Sequence, residues 1–251
     1  MHLNKFNSKE IKRLIKKATN PFQYDSVDLD WEKEGMSDSP TRQFFYDYLE
    51  KNISDLTNKN VIDIGSGTGY LTKLFQKFGA KEIYGIEPSH KNIQISQKFY
   101  PKMIVNEVSL EKAKFERKFD VAFVIMVFEH LKDLNSSFHK IETLLKQNGM
   151  LYIIVGDKNY HTIKRSGYRI KIKNLRNGEV VAATKRSYGT IYDIFRPIDN
   201  FIQAARINNF YLEKIIPLIP TKKLIQAESK YKKFKDRPLC HLLIFKHNVS
   251  C

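Results

Sequence analysis

A doubly wound α/β fold, a parallel sheet with helices on both faces, is predicted for this 251-residue chain by three observations. Apolar β-branched runs alternate with helical segments through residues 59–155, as in consecutive βαβ units. Val61-Ile62-Asp63-Ile64 is apolar apart from one acid, which suits a strand covered on both sides. It passes directly into Gly65-Ser66-Gly67-Thr68-Gly69-Tyr70 and a predicted helix from Leu71 to Phe78.

The other elements follow in order. Glu82-Ile83-Tyr84-Gly85-Ile86-Glu87-Pro88-Ser89 holds a second strand that ends in an acid. Met103 to Val105 forms a third and leads into Asn106-Glu107-Val108-Ser109. Phe119 to Ile125 is the fourth, and Met150 to Val155 the fifth. The helix between these two is predicted to close at Asn148-Gly149, a left-handed cap signal.

The loop after the first strand points to a ligand. Gly65, Gly67 and Gly69 let the chain turn sharply and leave backbone amides open at the helix start. Dinucleotide-binding loops space their glycines G-x-G-x-x-G, with a third small residue where this chain has Tyr70. A nicotinamide dinucleotide is therefore disfavoured. Glu87 stands where a doubly wound fold holds a ribose, since both hydroxyls can donate to one carboxylate. The alternative for Glu87 is a solvated loop acid.

Composition narrows the class. A chain of this length builds a full core, and one extended domain is expected. Four regions are expected within it: a helical cap and leading segment over 1–58, a binding core over 59–155, an inserted hairpin over 156–196, and a last helix with the final strands over 197–251. No apolar run approaches the roughly 20 residues of a membrane helix, and Met1-His2-Leu3-Asn4-Lys5 lacks a signal-peptide pattern. Cys240 and Cys251 form neither a disulfide framework nor a metal-ligand spacing. A cytoplasmic protein is expected.

The formal net charge is +16. Such a charge suits phosphate-rich partners. Lysine, however, far outnumbers arginine, and asparagine, isoleucine and tyrosine abound, a bias that an A+T-rich genome would also produce. Charge concentrates in two places. Lys9 to Lys17 is a basic amphipathic helix with Ile11, Leu14, Ile15 and Ala18 on one face, either a cap packed on the domain or a nucleic-acid arm. The other lies in Gly156 to Arg196, where Tyr168 to Lys173 and Glu179 to Thr184 flank an Asn-Gly turn, a strong hairpin signal. The hairpin would sit above the carboxyl ends of the strands, as a substrate lid, a peripheral ribbon or a dimer contact. Its Arg169, Lys171, Lys173, Arg176, Lys185 and Arg186 could attract an anionic substrate or an RNA backbone.

Several of these segments together resemble the class I S-adenosylmethionine-dependent methyltransferases, closest to the small-molecule type of the ubiquinone-pathway O-methyltransferases. They are Val61–Tyr70, Ile86-Glu87-Pro88-Ser89, Lys118 to Ala122, Val127-Phe128-Glu129-His130-Leu131 and Leu144 to Gly149. The resemblance implies a mostly parallel seven-stranded sheet with an antiparallel last strand. Phe210 to Ile216 and Pro238 to Lys246 would form the final hairpin, after a helix from Pro197 to Asn208.

It also implies site roles and a cofactor, S-adenosylmethionine, left as S-adenosylhomocysteine. Asp63 with Gly65, Gly67 and Gly69 would hold its methionine portion, and Glu87, followed by Pro88, its ribose. Val108 and Ser109 would flank the adenine. Pro21-Phe22-Gln23-Tyr24-Asp25 through Trp31-Glu32 resembles the aromatic segment that closes over the cofactor in small-molecule enzymes. Ser39 as N-cap and Pro40 in the first turn start a helix. Its Arg42 would clamp the methionine carboxylate or sit on a surface helix.

The expected activity is methyl transfer to a small-molecule acceptor at oxygen. Its alternatives are a methyltransferase acting on RNA and a non-catalytic cofactor-binding regulator. His130 and His161 are the candidate bases, and both also suit structural roles. His90 is expected at the adenine rim or in solvent, and His241 as a structural residue of the last strand. RNA 3′-end methyltransferases carry a metal site with the pattern Glu-x-x-Glu-His, but Met126 occupies its first position here. A metal-independent enzyme is expected, with Met126 near the cofactor or filling the core. The assembly is expected to be a monomer or a homodimer.

Overall fold

Neighbouring residues of the central strands feed two separate cores, and this alternation organises the molecule. The computed structural model describes residues 8–28, 30, 39–164 and 168–248. Met1 to Lys5, Trp31 and Glu32 lie outside the described residues. The strands are β1 (Asn60–Ile64), β2 (Glu82–Ile86), β3 (Ile104–Asn106), β4 (Phe119–Ile125), β5 (Leu145–Gly156), β6 (Arg169–Asn174), β7 (Val180–Arg186), β8 (Gly189–Phe195), β9 (Phe210–Leu218) and β10 (Cys240–His247). The α-helices are α1 (Ser8–Ala18), α2 (Pro40–Glu50), α3 (Thr72–Lys77), α4 (His90–Phe99), α5 (Leu134–Leu144), α6 (Lys158–Thr162), α7 (Ile198–Ile207) and α8 (Lys222–Ala227).

The large sheet has seven strands in the order β3-β2-β1-β4-β5-β10-β9. Strands β1 to β5 pair in parallel, while β10 runs antiparallel to both β5 and β9. The expected sheet with a reversed last strand is therefore present. Chain order reverses direction between β1 and β4, so their carboxyl ends open a crevice there.

Side chains of a strand alternate between its faces. Val61, Val121, Phe123 and Ile125 pack with Phe44, Phe45 and Leu49 of α2 and Phe75 of α3. Ile62, Ile64, Ala122 and Val124 pack on the other side with Phe138 and Ile141 of α5 and Phe201 and Ala205 of α7. Burying each large apolar side chain contributes about 1.5–3 kcal/mol. Because helices cover both faces, these strands read as apolar runs with a single acid each, Asp63 and Asp120. Ser39 caps α2 by accepting the Arg42 amide at 3.2 Å, with Pro40 at the first position.

Two boundaries differ from the sequence expectation. Helix α5 ends at Leu144, not at Asn148-Gly149. Leu145 already pairs with Phe119, and the register resumes at Val121 with Met150, so residues 146–149 bulge from the strand. Asn148 has φ +61°, and a Cβ on Gly149 would lie 2.9 Å from the Lys146 carbonyl oxygen. The left-handed signal marks a bulge, not a helix cap.

The expected hairpin is part of a three-stranded antiparallel sheet, β6-β7-β8. Its Asn177-Gly178 turn has φ +56° and +72°. Strand β8 escaped the pattern because Ile191, Asp193, Ile194 and Phe195 are all buried, which erases the polar–apolar alternation. Helix α1 covers one face of this small sheet, Leu14 and Ala18 packing on Val181 and Ile194. Buried Arg196, just past β8, donates to the carbonyls of Phe128 and Leu131 at 2.7 Å each and pairs with Glu179 at 3.0 Å. These bonds pin the insertion to the turn that follows β4.

Candidate active site

Gly65, Gly67 and Gly69 adopt φ +70°, +55° and +78°, values that L side chains rarely hold. Crowding adds to the demand at two of them. A Cβ on Gly65 would lie 2.4 Å from Val127, and one on Gly69 would lie 2.6 Å from Ser96. At Gly67 a Cβ would meet nothing within 4 Å, because this residue faces open space.

That space is a cavity of about 940 Å³, near the top of the roughly 300–1,000 Å³ range for small-molecule sites. It lies over the carboxyl ends of the parallel strands, and the small sheet forms part of its wall. Of the expected site residues, Arg42, Gly65, Gly67, Glu87, Pro88, Ser109, Met126, His130 and His161 line it. Asp63, Gly69 and Val108 are not among its lining residues. Gly69 faces Ser96, Met103 and Tyr100 instead. Val108 packs on the core beneath α5, and its neighbours Ser109 and Leu110 reach the wall in its place.

On the loop side the charges are tightly held. Buried Glu87 accepts the Gly67 amide at 2.8 Å on one oxygen, and the Ser89 amide (2.9 Å) and Asn92 side chain (3.1 Å) on the other. Burial raises its pKa, and these hydrogen bonds only partly pull it back. Asp63 lies behind the loop, where burial, with the charge of Glu87 second, pushes its pKa up to about 8. Arg42 donates to Thr68 at 3.3 Å, and its guanidinium lies 4.8 Å from the Tyr70 ring centroid. The residue that breaks the dinucleotide spacing thus becomes a platform for the arginine.

These residues suit S-adenosylmethionine. The open backbone at Gly67 lets a ligand approach closely. The oxygen of Glu87 that accepts the Gly67 amide can accept one further donor, and Arg42 on the cavity wall offers a positive charge for the carboxylate of an amino acid moiety.

The other end of the cavity gathers polar groups from three distant segments. The ring of His130 approaches Gln23 Nε2 at 2.9 Å through Nδ1 and the Tyr24 hydroxyl at 3.2 Å through Nε2. Asp193 of β8 lies 3.8 Å from His130 Nε2. Burial lowers the His130 pKa, although Glu129 opposes the shift, and the ring is neutral near pH 7. Burial, with Asp193 second, pushes the Tyr24 phenol upward. His161 is packed differently, its ring stacked on Phe195 at 4.8 Å between centroids and against Gly156, where a Cβ would come within 3.0 Å of its Nε2. Met126 has φ +57°, a strained backbone for a non-glycine residue at the cavity wall.

His90 is exposed beside Glu107 at 3.2 Å. His241 is half-buried in β10, 3.8 Å from Asp157. No group of three or more His, Cys, Asp or Glu side chains among the described residues could hold a metal ion. Nor is any helix among them long and apolar enough to cross a membrane.

Tyr24 belongs to the segment expected to close over the cofactor, whereas Glu129, Asp193 and the particular place of Arg186, which line the cavity too, had no assigned role in the sequence. Glu129 is 3% exposed; one oxygen accepts the Gly156 amide at 2.6 Å and the other, Oε2, has no hydrogen-bond partner. Burial raises its pKa against the pull of the Gly156 amide and His130. An acid directly before His130 on the tip of β4 was the available signal. Asp193 could not be found without knowing that β8 faces the cavity.

The methyltransferase domain family model matches residues 33–195. A tRNA U34 carboxymethyltransferase of Ruthia magnifica subsp. Calyptogena magnifica is 29% identical over 184 residues, covering 69% of this chain and 56% of that protein. A ubiquinone biosynthesis O-methyltransferase of Pelagibacter ubique is 32% identical over 126 residues, covering 44% and 52%. The chain thus spans about half the length of the curated relatives it matches. The crystal structure of an S-adenosylmethionine-dependent methyltransferase from Mesorhizobium loti has the same fold, with a TM-score of 0.66 at 16% identity over 83% of this chain and 100% of that one. With a family model across most of its length and a glycine loop, acidic strand end and sheet order to match, the chain belongs to the methyltransferase domain family, among the class I S-adenosylmethionine-dependent methyltransferases.

Proposed function

We propose that this protein transfers a methyl group from S-adenosylmethionine to an oxygen of a small molecule, without a metal ion. One observation carries the reading: a single cavity joins the glycine loop and Glu87 to the half-buried cluster of Tyr24, His130 and Asp193. The cofactor supplies an already activated methyl group on sulfur. What remains for the chain is to align the acceptor, exclude water and take up a proton.

His130 is suited to the proton in the tautomer whose hydrogen sits on Nδ1, toward the Ala18 and Tyr192 carbonyls. Nε2 is then open to accept, and the Tyr24 hydroxyl beside it can carry a hydrogen bond between acceptor and ring. General-base assistance of this kind contributes about 10²–10⁴-fold in rate. The small sheet and the residue 23–26 turn form part of the cavity wall and would shield the acceptor from water. Two cysteines without a disulfide spacing fit a reducing, cytoplasmic compartment.

Methylation of RNA is the second reading. The likeness to a tRNA-modifying enzyme and the net charge of +16 favour it. Calorimetry with S-adenosylhomocysteine, followed by transfer of labelled methyl to small phenols and alcohols or to bulk tRNA, tests both. Transfer to a small hydroxyl compound, indifferent to salt, is expected. Transfer to RNA alone, collapsing between low and physiological salt, would overturn the small-molecule reading.

A further inference from the structure

The basic residues of the insertion are not equivalent. Lys173 pairs with Glu10 at 3.1 Å, and Arg196 with Glu179 at 3.0 Å. Lys158 donates to the Gly178 carbonyl at 3.1 Å. One corner of the small sheet has no such compensation. Arg169 on β6 stands directly opposite Lys185 on β7, and both are exposed. Like charges directly opposite across a strand pair are destabilising. Among the described residues no carboxylate lies within 4.0 Å of either.

Arg186 follows and points to the cavity side of the sheet. Its Nη1 donates to the Tyr188 hydroxyl, and its guanidinium lies over the Tyr168 and Tyr188 rings at 5.3 and 5.6 Å. Its Nε is buried and has no hydrogen-bond partner. A buried donor left unmade costs about 1–3 kcal/mol, so the arrangement favours a ligand that accepts from it. These residues and Tyr168 bound a second cavity of about 410 Å³. Tyr168 and Arg186 line the main cavity as well. These two residues thus stand between the two cavities.

We propose that the Arg169, Lys185 and Arg186 corner is an anion subsite that takes a phosphate group carried by the methyl acceptor. A planar guanidinium presents paired donors to a phosphate oxygen edge, and the cross-strand cations lose their repulsion when a dianion sits between them. The four residues that bound the second cavity include three cations and no acid, while the carboxylate that acts on Arg186, Asp193, lies on the main-cavity side. The inference rests on the main cavity being the acceptor site of a methyltransferase. It adds that the acceptor is phosphorylated, as a small phosphate ester or as part of a polynucleotide.

The test uses the full chain saturated with S-adenosylhomocysteine, with phenyl phosphate and phenol as probes at constant ionic strength. Phenyl phosphate should bind and phenol should bind at least about tenfold more weakly. Arg186→Gln, and separately the pair Arg169→Gln with Lys185→Gln, should weaken phenyl phosphate by about ten- to a hundredfold. Each should leave S-adenosylhomocysteine affinity unchanged. Lys222→Gln with Lys223→Gln, which removes the same charge elsewhere on exposed helix α8, should change neither. Equal weakening by this control, or equal binding of phenol and phenyl phosphate, would overturn the subsite.

A third arm replaces phenyl phosphate with a ten-nucleotide oligouridine. Tighter, steeply salt-dependent binding lost in the same variants assigns the phosphate to a polynucleotide, and its absence assigns it to a small ester. Failure of wild-type protein to bind S-adenosylhomocysteine would sink the methyltransferase reading, and the phosphate arms would still decide the subsite.

Discussion

The Gly67 amide donates to the Glu87 carboxylate at 2.8 Å, so the acid at the end of β2 shapes the glycine loop that follows β1. The same carboxylate also receives the Ser89 amide and the Asn92 side chain. Loop and acid form one hydrogen-bonded unit. Glu87→Gln should turn an amide donor toward one of these donors and cost about 1–3 kcal/mol in stability. A lower melting temperature with S-adenosylhomocysteine affinity weakened at least about tenfold is expected; normal affinity would refute the unit.

The loop glycines should separate by variant. Gly65→Ala places a methyl 2.4 Å from Val127 and should destabilise the fold. Gly67→Ala has free space but a φ of +55°, so the backbone penalty is about 1 kcal/mol. It should fold and yet lose cofactor affinity, because its methyl group enters the cavity. Melting curves and calorimetry on the two proteins check this. A Gly67→Ala protein with normal affinity would show that the ligand lies elsewhere.

Asp63 should make the ligand-free protein less stable as pH rises. Its pKa is raised from 3.8 to about 8 by burial and by Glu87. Between these values the unfolded chain has lost the proton that the folded chain still holds, so stability present below pH 3.8 declines as pH approaches 8. Asp63→Asn should flatten this decline in melting temperature. Cofactor binding that ionises Asp63 should also release protons at pH 7, read as a buffer-dependent heat.

His130 acts with the opposite sign. Burial lowers its pKa from 6.5, so the unfolded state takes up a proton first as pH falls. Stability should therefore drop below about pH 6.5 and level off below the folded pKa. His130→Asn should remove that acid-side loss and reduce methyl transfer by about 10²-fold or more. A variant with full activity would leave His130 only a packing role.

Gln23 holds the upper wall to the core. Its amide reaches the Ala18 carbonyl (3.1 Å), both backbone groups of Tyr192 (3.1 and 3.3 Å) and His130 (2.9 Å). Gln23→Ala should speed amide exchange in α1 and β8 while leaving β1 and β4 protected. Uniform acceleration throughout would mean that the insertion and core open together.

Local signals made much of the core legible. Val61 to Ile64 and Phe119 to Ile125 are apolar apart from Asp63 and Asp120 because helices cover both faces, and their bounds follow from that pattern. Gly65, Gly67 and Gly69, spaced every second residue after a strand, signal the positive φ that each adopts. Ile11, Leu14 and Ile15 repeat at helical spacing, so α1 and its inward face were readable too. The Asn148-Gly149 signal was read as a helix end because a bulge and a cap demand the same backbone conformation. Only the pairing of Leu145 with Phe119 separates them.

The sequence by itself determined the sheet, the glycine loop and the acid that serves it, because strand period, positive φ and a charge beside an apolar run are short-range facts. Only the tertiary structure decided that Gln23, Tyr24, His130 and Asp193, separated by up to 170 residues, meet at one cavity wall. The same holds for Arg169 facing Lys185, and for Glu129 keeping an unbonded oxygen at the cavity wall. The physical reason is range. Burial and low dielectric, which shift pKa values and leave donors unmet, arise from segments that chain closure brings together, and no local window of sequence contains both sides of such a contact.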